Sequence, residues 1–526
     1  MEIALSLSGG GYRAAMFHLG TLHYLHHLRL ADDGTTVLSH VNTLSTISGG
    51  TITGLWYMMY YCRQDDIDAC FRELYTILTT SDIPTEALTA VIDKRAKDTS
   101  LIREMVAIYD KLFFHNETFN LILQKIDDGH IHHFCAGGTD FSNGYPFRFQ
   151  ATRKIQNAEP QYSRGFIGNK AHNIAWDLAG QIKLSEILAV SSCFPGGFEP
   201  MRFPSDFALY GTEGNRNALK DMKFDLMDGG IVDNQGIEPL MLANTHLTYD
   251  TPDAKGDTKY PCLDLLIISD VASPVLDKEK PFEIELKKSL SLSRIGWILT
   301  VLLIAFLVET IVGLHYGKNW LISSGLTGAV IIGVARVYMW NKLRKLMHYL
   351  DGKVSGVDWK KVKRVRLNNL GKLAETRLNS MLRLSQAIFM KPIRQMRYSA
   401  VYENERWTNR RITNNVNELS SRGSYRWKKN YPDYLKPSDV MKANSDMASS
   451  FATTLWFTKD DKEKGVPEAL FAAGQYNICM NLLEYIENLQ KNSQNTNENH
   501  QRIMTLEQQL RSDWLQFLQN PKFLTL

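Results

Sequence analysis

The chain has 526 residues, 44% of them hydrophobic, and a formal net charge of +4. That length holds more than one structural unit, and so small a charge excludes a protein built to grip nucleic acid electrostatically. No signal-like segment precedes the first strand, and the six cysteines (Cys62, Cys70, Cys135, Cys193, Cys262, Cys479) show no C-x-x-C spacing, so reduced thiols in a cytosolic setting are expected.

Residues 3–7 (Ile-Ala-Leu-Ser-Leu) alternate and are rich in apolar side chains, which predicts a strand. Ser8, Gly9, Gly10, Gly11, Tyr12 and Arg13 follow, and residues 13–25 have helical spacing. A glycine-rich turn at a helix N-terminus exposes N–H groups and a favourable dipole to an anion, either a phosphate or a developing oxyanion. Residues 41–47 are β-branched and apolar, a buried strand, and residues 49–60 look helical. Ser48 stands at that strand-to-helix corner, the geometry of a nucleophile elbow, which favours the oxyanion. Thr46 occupies the place of the elbow's usual first glycine, so its Cβ needs a slightly opened turn.

Residues 62–130 are mixed helical and charged, a candidate lid. His130, His132 and His133 do not make a metal site: a strand over 131–135 sends His132 and His133 to opposite faces, and no acidic or cysteine cluster completes a ligand set. Asp228 opens the run Asp228-Gly229-Gly230, by itself an ordinary turn. In order after the glycine loop and Ser48, it supplies a carboxylate base. Its apolar neighbours Phe224, Leu226, Met227 and Ile231 suit a carboxyl whose pKa is raised by desolvation. Residues 263–270 form a further buried strand, and residues 394–402 read as another.

The set Ser8-Gly9-Gly10-Gly11-Tyr12-Arg13, Ile47-Ser48-Gly49-Gly50 and Asp228-Gly229-Gly230 resembles the patatin-like phospholipase family. Residues 191–198 around Pro195, residues 232–236, and residues 469–476, similar to the family's closing helix, extend the resemblance to both ends of the chain. It implies a three-layer α/β/α sandwich, lipid acyl hydrolysis and a Ser/Asp dyad without histidine. Carried over, Ser48 is the nucleophile and Asp228 the base. Gly9, Gly10 and Gly11 form the oxyanion hole, and Arg13 braces the loop. The dyad requires no metal. Ser8 departs from the pattern, which often has an acidic residue there, and so does Thr46; neither change removes a catalytic group.

Residues 295–314 and 320–340 are nearly all apolar, and each spans about 30 Å as a helix, the thickness of a bilayer core. The short connection at 315–319 predicts an antiparallel hairpin, with Trp297, Tyr316, Trp320, Tyr338 and Trp340 near its ends. Lys287, Lys288, Arg294, Lys342, Arg344 and Lys345 flank it, against Lys318 in the loop, so both flanks are expected on the cytoplasmic side of the inner membrane. Glu309 comes level with Ser323, Ser324 and Gly325, and is a candidate for hydrogen bonding between subunits of a homo-oligomer. Gly325, Ala329 and Gly333 form a small-residue stripe. The bland reading is a helical pair buried in a soluble domain.

The expected organisation is a catalytic domain over 1–274, an insertion over 275–390 that carries the hairpin, completion of the domain over 391–490, and a linker and last helix over 491–526. The insertion also carries a basic segment (Lys353, Lys360, Lys361, Lys363, Arg364, Arg366) suited to anionic headgroups. The reading is a membrane-anchored phospholipase A acting on bilayer phospholipid through a Ser48 acyl-enzyme. The alternatives are an acyltransferase, thioesterase or neutral-lipid esterase with the same dyad, or an inactive scaffold of a pore or receptor. A toxin-like or antiphage role is suggested only by the hazard of a lipase tethered to its own membrane.

Overall fold

A computed structural model describes residues 2–30, 35–93, 100–154, 164–250, 263–273, 291–351, 367–384, 388–427, 432–492 and 497–526. Cys262, Lys287, Lys288 and the basic segment from Lys353 to Arg366 lie outside these residues. The chain divides into two compact units, 1–279 with 384–526, and 280–383.

The first unit is built on one mixed sheet. Its strands are β1 (Ile3–Leu7), β2 (Val41–Ile47), β3 (His133–Asp140), β4 (Tyr145–Thr152), β5 (Ile167–Gly168), β6 (Asn173–Ile174), β7 (Met201–Phe203), β8 (Phe224–Asp228), β9 (Leu265–Asp270) and β10 (Arg411–Asn415). The order is β10-β9-β1-β2-β3-β4-β5-β6, with β8 also on β3 and β7 on β8. From β10 to β3 all pairs are parallel, and beyond β3 all are antiparallel.

Strand alternation separates two cores. Leu5, Leu7, Leu265 and Ile267 join the large cluster, while Ala4, Leu266 and Ile268 face the small one with Ile237, Leu240, Val401 and Trp407. This is the pattern of a parallel sheet covered by helices on both faces, the expected three-layer sandwich. The helices between 67 and 125 feed Phe71, Leu74, Phe113 and Ile122 into the large core.

Residues 394–402 are not a strand. They belong to a helix, Met390–Tyr402. Arg394, Arg397, Tyr398 and Val401 stand at i, i+3, i+4 and i+7, so a helix turns all four toward one side. That side meets Asp270, the carbonyl of Val232 and the small core. The strand beyond the insertion is β10 instead.

Helix α1 (Gly11–His27) crosses the C-terminal helix Val466–Asn492 at glycine on both sides. A Cβ on Gly20 would lie 2.0 Å from the Phe471 carbonyl oxygen, and one on Gly474 would lie 2.0 Å from that of Phe17. Helix-interior glycine costs about 0.5–1 kcal/mol relative to alanine, so the close crossing has to offset that cost.

The second unit contains helices Leu292–His315 and Asn319–Asp351. Two spans, Ser293–His315 and Asn319–Lys342, are long and apolar enough to cross a membrane. Their apolar surface is largely uncovered, with none of the first apolar window buried and 11% of the second, which does not fit a pair buried in a soluble core. Ser324 Oγ donates to Glu309 Oε1 at 2.6 Å, as the antiparallel pairing predicts. The close contacts run through Gly325 and Gly328 against Phe306, whereas Gly333 faces open space, so the small-residue stripe reaches only part of the way.

The helix crossing yields a stability prediction. Gly474→Ala should lower stability by about 1–3 kcal/mol through overpacking. Chemical denaturation of the intact protein checks this, and a variant as stable as wild type contradicts so close a crossing.

Candidate active site

Strand register sets the site. Strand β4 pairs with β3 over the whole of 133–140. Strands β2 and β8 must therefore share β3's other edge. On that edge Ile47 is opposite Gly137 and Asp228 is opposite the next residue, Gly138. The two chain segments run toward each other, and Ser48 and Asp228 meet where they end. Ser48 Oγ donates to Asp228 Oδ2 at 2.8 Å.

Ser48 is held under strain. Its φ of 50° and ψ of −119° lie where a residue with a side chain seldom sits. It is the last residue before helix α2 (Gly49–Arg63). Close backbone approach enforces the corner: a Cβ on Gly49 would lie 2.1 Å from the Gly11 carbonyl oxygen. The Ser48 N–H donates to Ser191 Oγ at 2.9 Å, and Ser191 Oγ donates to the Gly137 carbonyl at 2.7 Å. Ser191 thus ties the elbow to β3.

Thr46 takes part in the same network. Thr51 Oγ1 donates to Thr46 Oγ1 at 3.1 Å and lies 2.8 Å from Ser191 Oγ, and Thr46 Oγ1 donates to the Cys135 carbonyl at 3.3 Å. Its methyl group fills the space opposite Gly54, where a Cβ would come within 2.2 Å of Thr46 Cγ2. Gly54 on the facing helix therefore leaves the space that the Thr46 side chain occupies.

The glycine loop is divided in role. The Gly9 N–H donates to the Asn234 carbonyl at 2.9 Å, so Gly9 is engaged and does not serve as an oxyanion donor. Gly10 and Gly11 follow with φ of 152° and 58°, and among the described residues their N–H groups have no partner. Tyr12 N–H donates to the Thr454 carbonyl at 2.7 Å. Arg13 reaches the same segment, donating Nη1 to the Phe451 carbonyl at 2.9 Å and Nη2 to Thr453 Oγ1 at 3.2 Å, a bracing contact. Ser8 Oγ accepts from the Val271 N–H at 3.1 Å, so Ser8 holds the loop to the end of β9.

Ser191, Thr51 and Asn234 were not singled out by sequence reasoning. Ser191 and Asn234 lie within segments that carry the family resemblance; the segment 451–454 has no such signal. His130, His132 and His133 are engaged separately: His130 packs edge-on to Tyr61, His132 meets Arg153, and His133 bonds Thr152. Among the described residues no histidine bonds to Ser48 or Asp228, and Cys62, Cys70, Cys135, Cys193 and Cys479 are free thiols.

Asp228 is buried, and burial pushes its carboxyl up to about 7 against the opposing pull of the Gly230 N–H and the Ser48 hydroxyl. Gly230 N–H donates to Oδ1 at 2.7 Å, which leaves Oδ2 for the serine. Because the native state holds its proton more tightly than the unfolded chain, the favourable contribution is full below about pH 4. It is lost as pH rises toward 7, a change on the order of 4 kcal/mol. Asp228→Asn lacks this titration. Its melting temperature relative to wild type should therefore rise from pH 4.5 to pH 8 and level off above 7. A difference that stays flat over that range would show that Asp228 is not held at a raised pKa.

The family model for patatin-like phospholipases matches residues 5–241, a stretch that contains the glycine loop, Ser48 and Asp228. No curated protein matches the chain. Strands β9 and β10 and the C-terminal helices lie beyond the matched residues and complete the sheet and its core. The chain thus carries a patatin-like phospholipase domain over residues 5–241, which makes it a lipid acyl hydrolase of that general type.

Proposed function

We propose that this protein is a membrane-anchored phospholipase A that works through a Ser48/Asp228 dyad. The observation that carries the reading is the 2.8 Å hydrogen bond from a strained, elbow-mounted serine to a buried carboxylate. Beside it stand the N–H groups of Gly10 and Gly11, without partners among the described residues, at the positive end of α1.

Ionised Asp228 takes the Ser48 proton as Oγ attacks the acyl carbonyl carbon. The carbonyl oxygen becomes an oxyanion facing Gly10 and Gly11, where fixed N–H dipoles stabilise charge that exists only in the transition state. The C–O bond to the lysophospholipid breaks, and that oxygen leaves with the proton held by Asp228. Water then gives a proton to Asp228 and its oxygen to the acyl carbon, and the fatty acid departs as Ser48 regains a proton. An aspartate near pKa 7 is a far better base than one near 4, so burial serves the chemistry. The anchor is the apolar helix pair, and tethering replaces bulk encounter with a local one for a substrate already in the bilayer.

Ser48→Ala and Asp228→Asn should each lower fatty-acid release from phospholipid vesicles by about 10³-fold or more. Wild-type kcat/KM should climb with pH through an apparent pKa near 7, because the base must be ionised. Variants as active as wild type would remove the dyad assignment; an ascending limb near pH 4 would remove the buried-base account. Release of acylated alcohol instead of free fatty acid would identify an acyltransferase.

A further inference from the structure

The root of the glycine loop is supported from two sides. The Ser8 N–H donates to the Ser269 carbonyl at 3.0 Å, and the Val271 N–H donates to Ser8 Oγ at 3.1 Å, so the end of β9 holds one side. The Gly9 N–H donates to the Asn234 carbonyl, so the turn after Asp228 holds the other. Neither support belongs to the loop's own strand or helix.

One helix grips both. On Met390–Tyr402, Arg394 Nη2 donates to Asp270 Oδ2 at 2.6 Å, and the Tyr398 hydroxyl donates to the same oxygen at 2.7 Å. The Ala272 N–H donates to Oδ1 at 2.9 Å, so this fully buried carboxylate has partners on both oxygens. One turn along the same face, Arg397 Nη2 donates to the Val232 carbonyl at 3.3 Å and to the Glu238 carboxylate. Glu238 in turn donates its N–H to Asp233 Oδ2 at 2.7 Å, which closes the 232–238 turn on itself. Arg394 therefore fixes the segment 269–272, and Arg397 fixes the segment that carries Asn234. Charge-assisted bonds to a carboxylate and a carbonyl, made by neighbouring arginines on a stiff helix, hold the two segments at a set separation.

The location adds meaning. Strand β9 is the last strand before residues 280–383, and Met390–Tyr402 is the first helix of the catalytic unit after them. The chain is pinned by Asp270 and Arg394 near both points where it joins the apolar unit.

We propose that Arg394 and Arg397 are positioning residues for the oxyanion side of the site. They lock the two supports of Ser8 and Gly9, and so keep the Gly10 and Gly11 N–H groups aimed at the carbon attacked by Ser48. This rests on the dyad reading above. Neither arginine touches substrate; each acts through the loop.

The test uses the full-length protein in phosphatidylcholine vesicles, comparing wild type with Arg394→Gln, Arg397→Gln and Arg394→Lys. Both glutamine variants should lose about 10–100-fold in kcat with KM little changed, the scale of effect of a misplacement of about 1 Å. Labelling of Ser48 by a fluorophosphonate should slow by a similar factor while reaching the same final fraction, because the phosphoryl oxygen uses the same donors. Arg394→Lys, which keeps one charged donor to Asp270, should recover part of the rate. Glutamine variants with wild-type kcat overturn the proposal. So does a loss matched by a smaller final labelled fraction, which marks a merely structural role. Wild type that neither releases fatty acid nor labels at Ser48 overturns the dyad reading, and this inference with it, before any arginine is changed.

Discussion

Two neighbouring β-to-α turns touch through bare backbone, and the site is arranged around that contact. Strands β1 and β2 are parallel and in register from Ala4 opposite Thr43 to Leu7 opposite Thr46, so their turns leave the same sheet edge side by side. With Gly49 seated on the Gly11 carbonyl, the second turn has room for only a sharp corner, and Ser48 takes its positive φ there. The strain is sustained because surrounding groups over-determine it: Ser191 holds the Ser48 N–H, and α2 begins at once on the next residue. The crevice at the carboxyl ends of parallel strands, beside the point where the strand order reverses from β1 to β9, is where sheets of this kind hold their ligands.

Burial acts on this site in two directions. It raises the Asp228 pKa toward neutrality, which suits a base but destabilises the folded chain at high pH. It also makes each unpaired polar group expensive, and the elbow answers with a connected set of hydroxyls on Thr46, Thr51 and Ser191. Asp270 shows the contrasting case. Burial pushes its carboxyl up too, yet Arg394, the Ala272 N–H and Tyr398 outweigh that and hold it below its usual value. Two buried aspartates in one domain are thus held in opposite senses, Asp228 above its usual value and Asp270 below it.

The apolar unit follows separate rules. Its two long helices satisfy their backbone groups internally. Their side chains are exposed and apolar on nearly all sides, and Ser324 satisfies the carboxylate of Glu309 within the pair. Small residues at Gly325 and Gly328 let the helix backbones approach around Phe306.

Much of this was legible in the sequence because it is local. Alternation, glycine position and apolar run length report on neighbours a few residues away, and they located β1, β2, α1, α2, Ser48 and both apolar helices. Asp228 stood out only through its order after the glycine loop and Ser48, since its glycine turn by itself is an ordinary one. Residues 394–402 were misread because the side chosen by Arg394, Arg397, Tyr398 and Val401 is defined by Asp270 and Val232, more than 100 residues away. The fit of Thr46 against Gly54 was likewise invisible, as it is a contact across a strand and a helix. So was the engagement of Gly9 by Asn234. Chain chemistry by itself determined which groups are available for acyl transfer. The pairing of β8 with β3 beyond the end of β2 decided that two of them meet at hydrogen-bond distance, because register is a property of strands brought together and not of either one alone.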